Sequence, residues 1–175
     1  MALNHSGHGS TGSQAYGQTM NPLNNPNLFR HIMNWWPPFL GAGIRVKFIS
    51  PDWRRIITQL RLYGLNRNYM GTHFGGSLFA MTDPFYMLML IKNLGKEYNV
   101  WDKTGAIEFI KPVKGMARAT FNLTQEHIRQ ILWKTSNGEK HFEDFRVDVV
   151  DKHEEVIARV KKTIYIRKKQ TNYIP

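Results

Sequence analysis

Between Asn68 and Ile91 the chain carries a single formal charge, that of Asp83. A carboxylate set in apolar surroundings holds its proton more tightly than usual and becomes a usable base near neutrality. Upstream, Gly75-Gly76 stand where a helix would begin. With no side chains in the way, their N–H groups are open to an approaching oxygen, and the helix dipole adds to their pull on a developing oxyanion. Ser77 could hold a water, and Asn68 and His73 are polar groups that could position a substrate. This set suits attack by water, or by the Asp83 carboxylate itself, on a thioester carbonyl. At 1.5 Å per residue Asp83 lies roughly 10–12 Å along a helix from the glycines. That is too far to act on a carbonyl held by the glycines of its own chain.

Each of these residues has a plainer use. Asp83-Pro84 is also an N-cap followed by a first-turn proline, so a helix could start there with the carboxylate bonded to its own N–H groups. A proline inside a helix costs about 3 kcal/mol, which favours that start. The apolar run Leu78–Met81 favours one continuous segment. A kink at Asp83-Pro84, freeing the Ala80 carbonyl, would allow both roles. Gly75-Gly76 could be a tight turn, and His73 an ordinary loop residue.

The elements around this stretch follow from periodicity. Asn25-Pro26 starts a helix over about 26–36, with Phe29, Ile32, Met33 and Trp36 on one face and Pro37-Pro38 as its stop. Trp35 and Trp36 are expected to pack on the domain. Gly41-Ala42-Gly43 reads as a loop. Ile44, Val46 and Phe48 alternate with charged residues, and Arg54–Leu62 follows as the second strand of a hairpin. The segment 75–94 is apolar all round and must be buried; Gly95 ends it. Strands are expected over Asn99–Val113, with Ile107 and Phe109 inward, and over Ala117–Leu123. Thr124 caps a short helix over Gln125–Lys134. A last hairpin joins Phe145–Val149 to Val156–Ile166. Lys162 is the misfit on the inward face of that hairpin and suggests a bulge. A sheet with one apolar face and a helix needing a wrapper satisfy each other, giving an α+β fold. The helix sides left open call for a second subunit, so a homodimer or tetramer is expected.

The order of elements and the string Gly71-Thr72-His73-Phe74-Gly75-Gly76-Ser77-Leu78-Phe79-Ala80-Met81-Thr82-Asp83 resemble the hot-dog superfamily. Within it, they most resemble the phenylacetyl-CoA type of acyl-CoA thioesterase. That pattern reads Asn-x-x-Gly-x-x-His-Gly-Gly, with an acid nine positions after the His. Asn68, Gly71, Gly75, Gly76 and Asp83 fall on it, and the likeness spans about residues 44–167. Phe74 takes the place of the family His, and the nearby imidazole, His73, comes one residue early. The resemblance implies an antiparallel sheet of five to six strands around a long central helix. It also implies a site shared across a dimer, with Asp83 of one subunit facing Gly75-Gly76 of the other. The expected substrate is an acyl-CoA or related thioester, with coenzyme A entering only as part of the substrate and no separate cofactor. A non-catalytic relative that binds an acyl or other apolar ligand in the same place is one alternative, and a polyanion-binding protein using the basic C-terminal strand is the other.

Composition bounds the rest. A chain of 175 residues, 42% hydrophobic and 13% aromatic, is one ordered domain rather than a disordered polymer. Residues 1–20, rich in Gly, Ser, His and Asn, are expected to be a disordered leader ahead of a domain over 21–175. There is no cysteine, and His127, His141 and His153 lack metal-ligand spacing, so no metal is expected. Nothing reads as a signal or a spanning segment, which points to a cytoplasmic protein without a membrane partner. The net charge of +11 would attract a polyanion, and Lys161, Lys162, Arg167, Lys168 and Lys169 concentrate part of it near the C-terminus. Few basic residues interleave with exposed aromatics, so nucleic acid is not the expected partner.

Overall fold

A computed structural model describes residues 22–170; the expected leader over 1–20 lies outside them. After a single 3-10 turn, α1 (Pro26–Trp35) and α2 (Pro37–Ala42) precede the hairpin β1 (Ile44–Ile49) and β2 (Arg55–Arg61). The central segment follows as α3 (Gly75–Ala80) and α4 (Phe85–Leu94). Then come β3 (Tyr98–Phe109), β4 (Met116–Asn122), α5 (Gln125–Lys134), β5 (Lys140–Val150) and β6 (Val156–Lys168). The six strands form one antiparallel sheet in the order β1-β2-β4-β5-β6-β3. This is the expected α+β, hot-dog arrangement, a sheet wrapped around a central helical segment.

The strands were readable because their inward residues alternate. Ile56, Thr58 and Leu60 of β2, Ala117, Ala119 and Phe121 of β4, and Phe145, Val147 and Val149 of β5 all lie in the core. Phe85 of α4 sits at its centre, against Phe39 and Phe121, and Tyr86 stacks on Phe145 with ring centroids 4.3 Å apart. Thr124 caps α5 by accepting from the His127 N–H, as expected.

Local chemistry changes several details. Pro37-Pro38 does end α1, but Pro37 also opens α2 directly, because proline fits the first helical turn. Gly41 and Ala42 therefore lie in a helix, and Gly43, at φ +81°, is its left-handed end. Lys162 marks no bulge in its own strand: it pairs in register with Phe145 and with Gly105. The irregularity lies opposite, between Asp102 and Thr104 of β3. Phe109 is half-exposed rather than inward. Trp35 stands 75% exposed, whereas Trp36 leans on Phe39.

The two edges of the sheet differ. At β1 the side-chain amide of Asn34 donates to Val46 O (3.1 Å) and accepts from Val46 N–H (2.7 Å), replacing a neighbouring strand. At β3, among the described residues, no strand pairs with the outer edge of an element twelve residues long. Truncating Phe85 to Ala is expected to cost about 3–5 kcal/mol, read as a lower urea midpoint with an unchanged slope.

Candidate functional site

The loop before α3 is tied by its own polar groups. Asn68 accepts from Thr72 N–H and donates to Thr72 Oγ1 and to His73 O, all within 3.0 Å. Gly71 takes φ +72°, and Arg67 and His73 close the loop as an isolated bridge. The His73 ring is buried, and its Nε2–H donates to Gly115 O at 2.9 Å. That bond fixes the tautomer and leaves Nδ1 as a buried lone pair without a partner among the described residues. Burial pushes the imidazole below its usual range, only partly offset by the Gly115 carbonyl. Beside this loop a cleft of about 310 Å³ is lined by Asn68, His73, Gly75, Leu78, Phe109 and Val113, among others.

At the start of α3 the Phe74 carbonyl takes the first helical N–H groups, those of Ser77 and Leu78. The Gly75 and Gly76 amides come before them, as first-turn donors without an intrahelical acceptor. Both glycines also answer to rings. A methyl at Gly75 would stand 2.8 Å from the Phe109 ring, and one at Gly76 would collide with Phe74. The Phe74 ring lies over Gly76. Ser77 is buried in the next position.

The central segment breaks between Ala80 and Phe85 because Pro84 has no N–H to offer the Ala80 carbonyl. Each freed acceptor finds another donor. Phe79 O takes the N–H and hydroxyl of Thr82, Ala80 O takes Asp83 N–H (3.2 Å), and Met81 O takes the Thr58 hydroxyl from β2 (3.2 Å). Asp83 caps nothing: α4 has no side-chain cap bond. Its carboxylate instead turns to Lys162 of β6, with Oδ1 2.6 Å from Nζ. Lys162 is 3% exposed and Asp83 57% exposed, so the pair runs from the core to the surface. Asp102 of β3 brings Oδ1 to 3.3 Å from the same ammonium. Burial pushes the Asp102 carboxyl above its ordinary range, more than the nearby Lys162 lowers it, and Asp83 adds to the rise. The Phe79 ring lies 5.5 Å from Nζ. Gly105 makes room for both, since a methyl there would meet the Phe79 ring at 2.8 Å and the Lys162 stem at 3.3 Å.

The expected residues thus fall in two groups. Asn68, His73, Gly75 and Gly76 share the loop and the head of α3, with Ser77 behind them. Asp83 stands beyond α3 with Lys162 and Asp102. From the sequence, Trp101-Asp102 could face the pocket or merely end a strand, with packing the expected use, and Lys162 shows only as a lysine at an inward position of an otherwise apolar strand.

The depressed imidazole has a measurable effect. Below about 6.5 the unfolded chain takes up a proton at this position that the folded chain resists. Stability is expected to fall as pH drops through that value. His73→Gln keeps a donor for Gly115 O and cannot titrate, so it should flatten this part of a melting-temperature profile between pH 7 and 5. An unchanged slope would remove His73 as its source.

Solved structures share this fold. A Pseudomonas aeruginosa protein of unknown function, PA5026, described as a probable thioesterase, superposes with a TM-score of 0.72 at 22% identity, over 83% of this chain and 99% of its own. The thioesterase HI1161 of Haemophilus influenzae gives 0.59 at 13%, over 85% and 94%. A point mutant of the phenylacetic acid degradation protein PaaI from Thermus thermophilus gives 0.50 at 17%, over 74% and 97%. At such identities the likeness carries the hot-dog fold and not the chemistry. No curated protein matches the chain. A family model described as a domain of unknown function, DUF4442, matches residues 26–166, and the chain belongs to that family.

Proposed function

We propose that the chain is a hydrolase of acyl-CoA or related acyl thioesters, working as a homodimer joined through the open edge of β3. The observation that carries this reading is Asp83. It is an exposed carboxylate at the break of the central segment, held through Oδ1 by a buried ammonium, and its Oδ2 takes no hydrogen bond among the described residues. Thioesterase-like neighbours of the same fold support the substrate class.

In this reading Lys162 fixes the direction of Asp83 and balances its charge. The second oxygen of Asp83 removes a proton from water as that water attacks the thioester carbonyl, or attacks the carbonyl itself to give an acyl-enzyme that water then opens. In both routes the C–S bond breaks and the thiolate leaves with a proton. The amides of Gly75 and Gly76 from the partner subunit would face the oxyanion, since those of the same chain lie beyond α3. The open β3 edge supports such a pairing, because at the opposite edge Asn34 already occupies the N–H and carbonyl of Val46. Among the described residues no helix is long and apolar enough to cross a membrane.

A second reading has its own support. His73 has committed Nε2–H to Gly115, and Phe74 lies over Gly76. A chain that binds acyl groups without cleaving them would show the same features.

A panel of acyl-CoAs separates the two. Turnover is expected, and Asp83→Asn should lower kcat by about 10²–10⁴-fold with the circular dichroism spectrum retained. Lys162→Met should reduce kcat in the same direction. Binding without turnover in the unmodified chain would select the second reading, and full activity of Asp83→Asn would exclude Asp83 from the chemistry. Sedimentation should give a dimer at micromolar concentration; a monomer would remove the shared site.

A further inference from the structure

α1 divides two grooves of opposite character. On one flank, between α1 and α4, an open furrow of about 640 Å³ is lined by His31 and otherwise by apolar side chains, including Phe29, Ile32, Trp36, Pro84 and Leu88. On the exposed crest stand Leu28, Ile32 and Trp35, the last with most of its indole in solvent. On the other flank, between α1 and the outer face of β1 and β2, lies a groove of about 560 Å³ that holds Arg30, Arg45, Lys47 and Arg61 and no carboxylate. None of these four takes part in an ion pair among the described residues. The sequence strengthens the asymmetry, since no acidic residue occurs before Asp52.

We propose that α1 and the outer face of β1 and β2 form a peripheral docking surface for an anionic lipid bilayer. A bilayer interface satisfies both halves at once. Trp and aliphatic side chains settle at the headgroup level, and each basic residue beside an anionic leaflet raises partition about fivefold. Other occupants satisfy one half only. A second copy docked symmetrically would present the same surface, whose groove holds no carboxylate, and so would leave the four cations without counter-charge. A nucleic acid phosphate backbone would use the cations and leave the aliphatic crest in water. The chain's own segments over 1–21 and 171–175 contain no acidic side chain, so they cannot neutralise the basic groove. The surface departs from the sequence expectation of no membrane partner. It crosses nothing, and it is independent of the thioesterase reading.

The test uses the full chain with vesicles of phosphatidylcholine alone and of phosphatidylcholine mixed with phosphatidylglycerol. The chain should pellet with the mixed vesicles, stay in solution with the neutral ones, and be released by added salt. The pair Leu28→Ser with Trp35→Ser, and separately the pair Lys47→Glu with Arg61→Glu, should each lower the bound fraction by about tenfold or more. These positions are exposed, so melting temperatures should hold, and the circular dichroism spectrum serves as a second control on folding. No pelleting with the mixed vesicles overturns the proposal. Pelleting that survives the serine pair also overturns it and leaves a phosphate polymer as the ligand. Pelleting that survives the glutamate pair overturns it in favour of a purely apolar occupant. A self-association lost on the serine pair, with no vesicle binding, would assign the face to a second copy.

Discussion

An ammonium buried on the concave face of a sheet needs anions within reach, because desolvating an isolated charge costs several kcal/mol. Lys162 has two, and the structure deviates from regularity at three places to supply them. The central segment is broken at Pro84, which lets Asp83 leave the helical line and meet Nζ. β3 shifts register between Asp102 and Thr104, beside the second carboxylate. Gly105 leaves out a side chain where the lysine stem and the Phe79 ring pass. Each irregularity looks incidental alone; together they surround one charge. The same arrangement leaves Asp83 half in solvent while its partner is dry.

The break is supported from outside the helices. Thr58, fully buried in β2, gives its hydroxyl to the Met81 carbonyl, so the sheet itself completes the hydrogen bonding that Pro84 interrupts. This ties the position of Asp83 to the hairpin that precedes it in sequence. On the other side of the molecule Asn34 performs a similar service for β1, with an amide side chain standing in for a strand.

Strands with a clean period of two were legible in the sequence because alternation is a local signal. Ala117–Leu123 and Val156–Ile166 needed no tertiary knowledge. The central segment was legible as buried, and the tension between Asp83-Pro84 as a start and as an interior break was visible. What the residues alone left open was which carbonyls would find which donors. Lys162 showed as a misfit, but a charged residue at an inward position has the same appearance whether it marks a bulge or an ion pair. Asp102 sat in a stretch with weak alternation, and its closeness to Lys162 arises only when β3 returns to the far edge of the sheet beside β6. The amides of Gly75-Gly76 are legible in the sequence; that the Phe109 ring also demands the missing side chain at Gly75 depends on a strand more than thirty positions away.

The clamp that Asn34 places on Val46 has a bearing on how the chain can be shortened. With α1 in place the sheet offers one sticky margin, and objects with one such margin pair off and stop. A chain trimmed beyond Asn34 would offer two. Copies with two complementary margins join end to end without closing, which is the geometry of a growing fibril. On the pairing proposed above, the first helix would thus set the number of copies at which assembly ends, and light scattering on the shortened chain would register its loss.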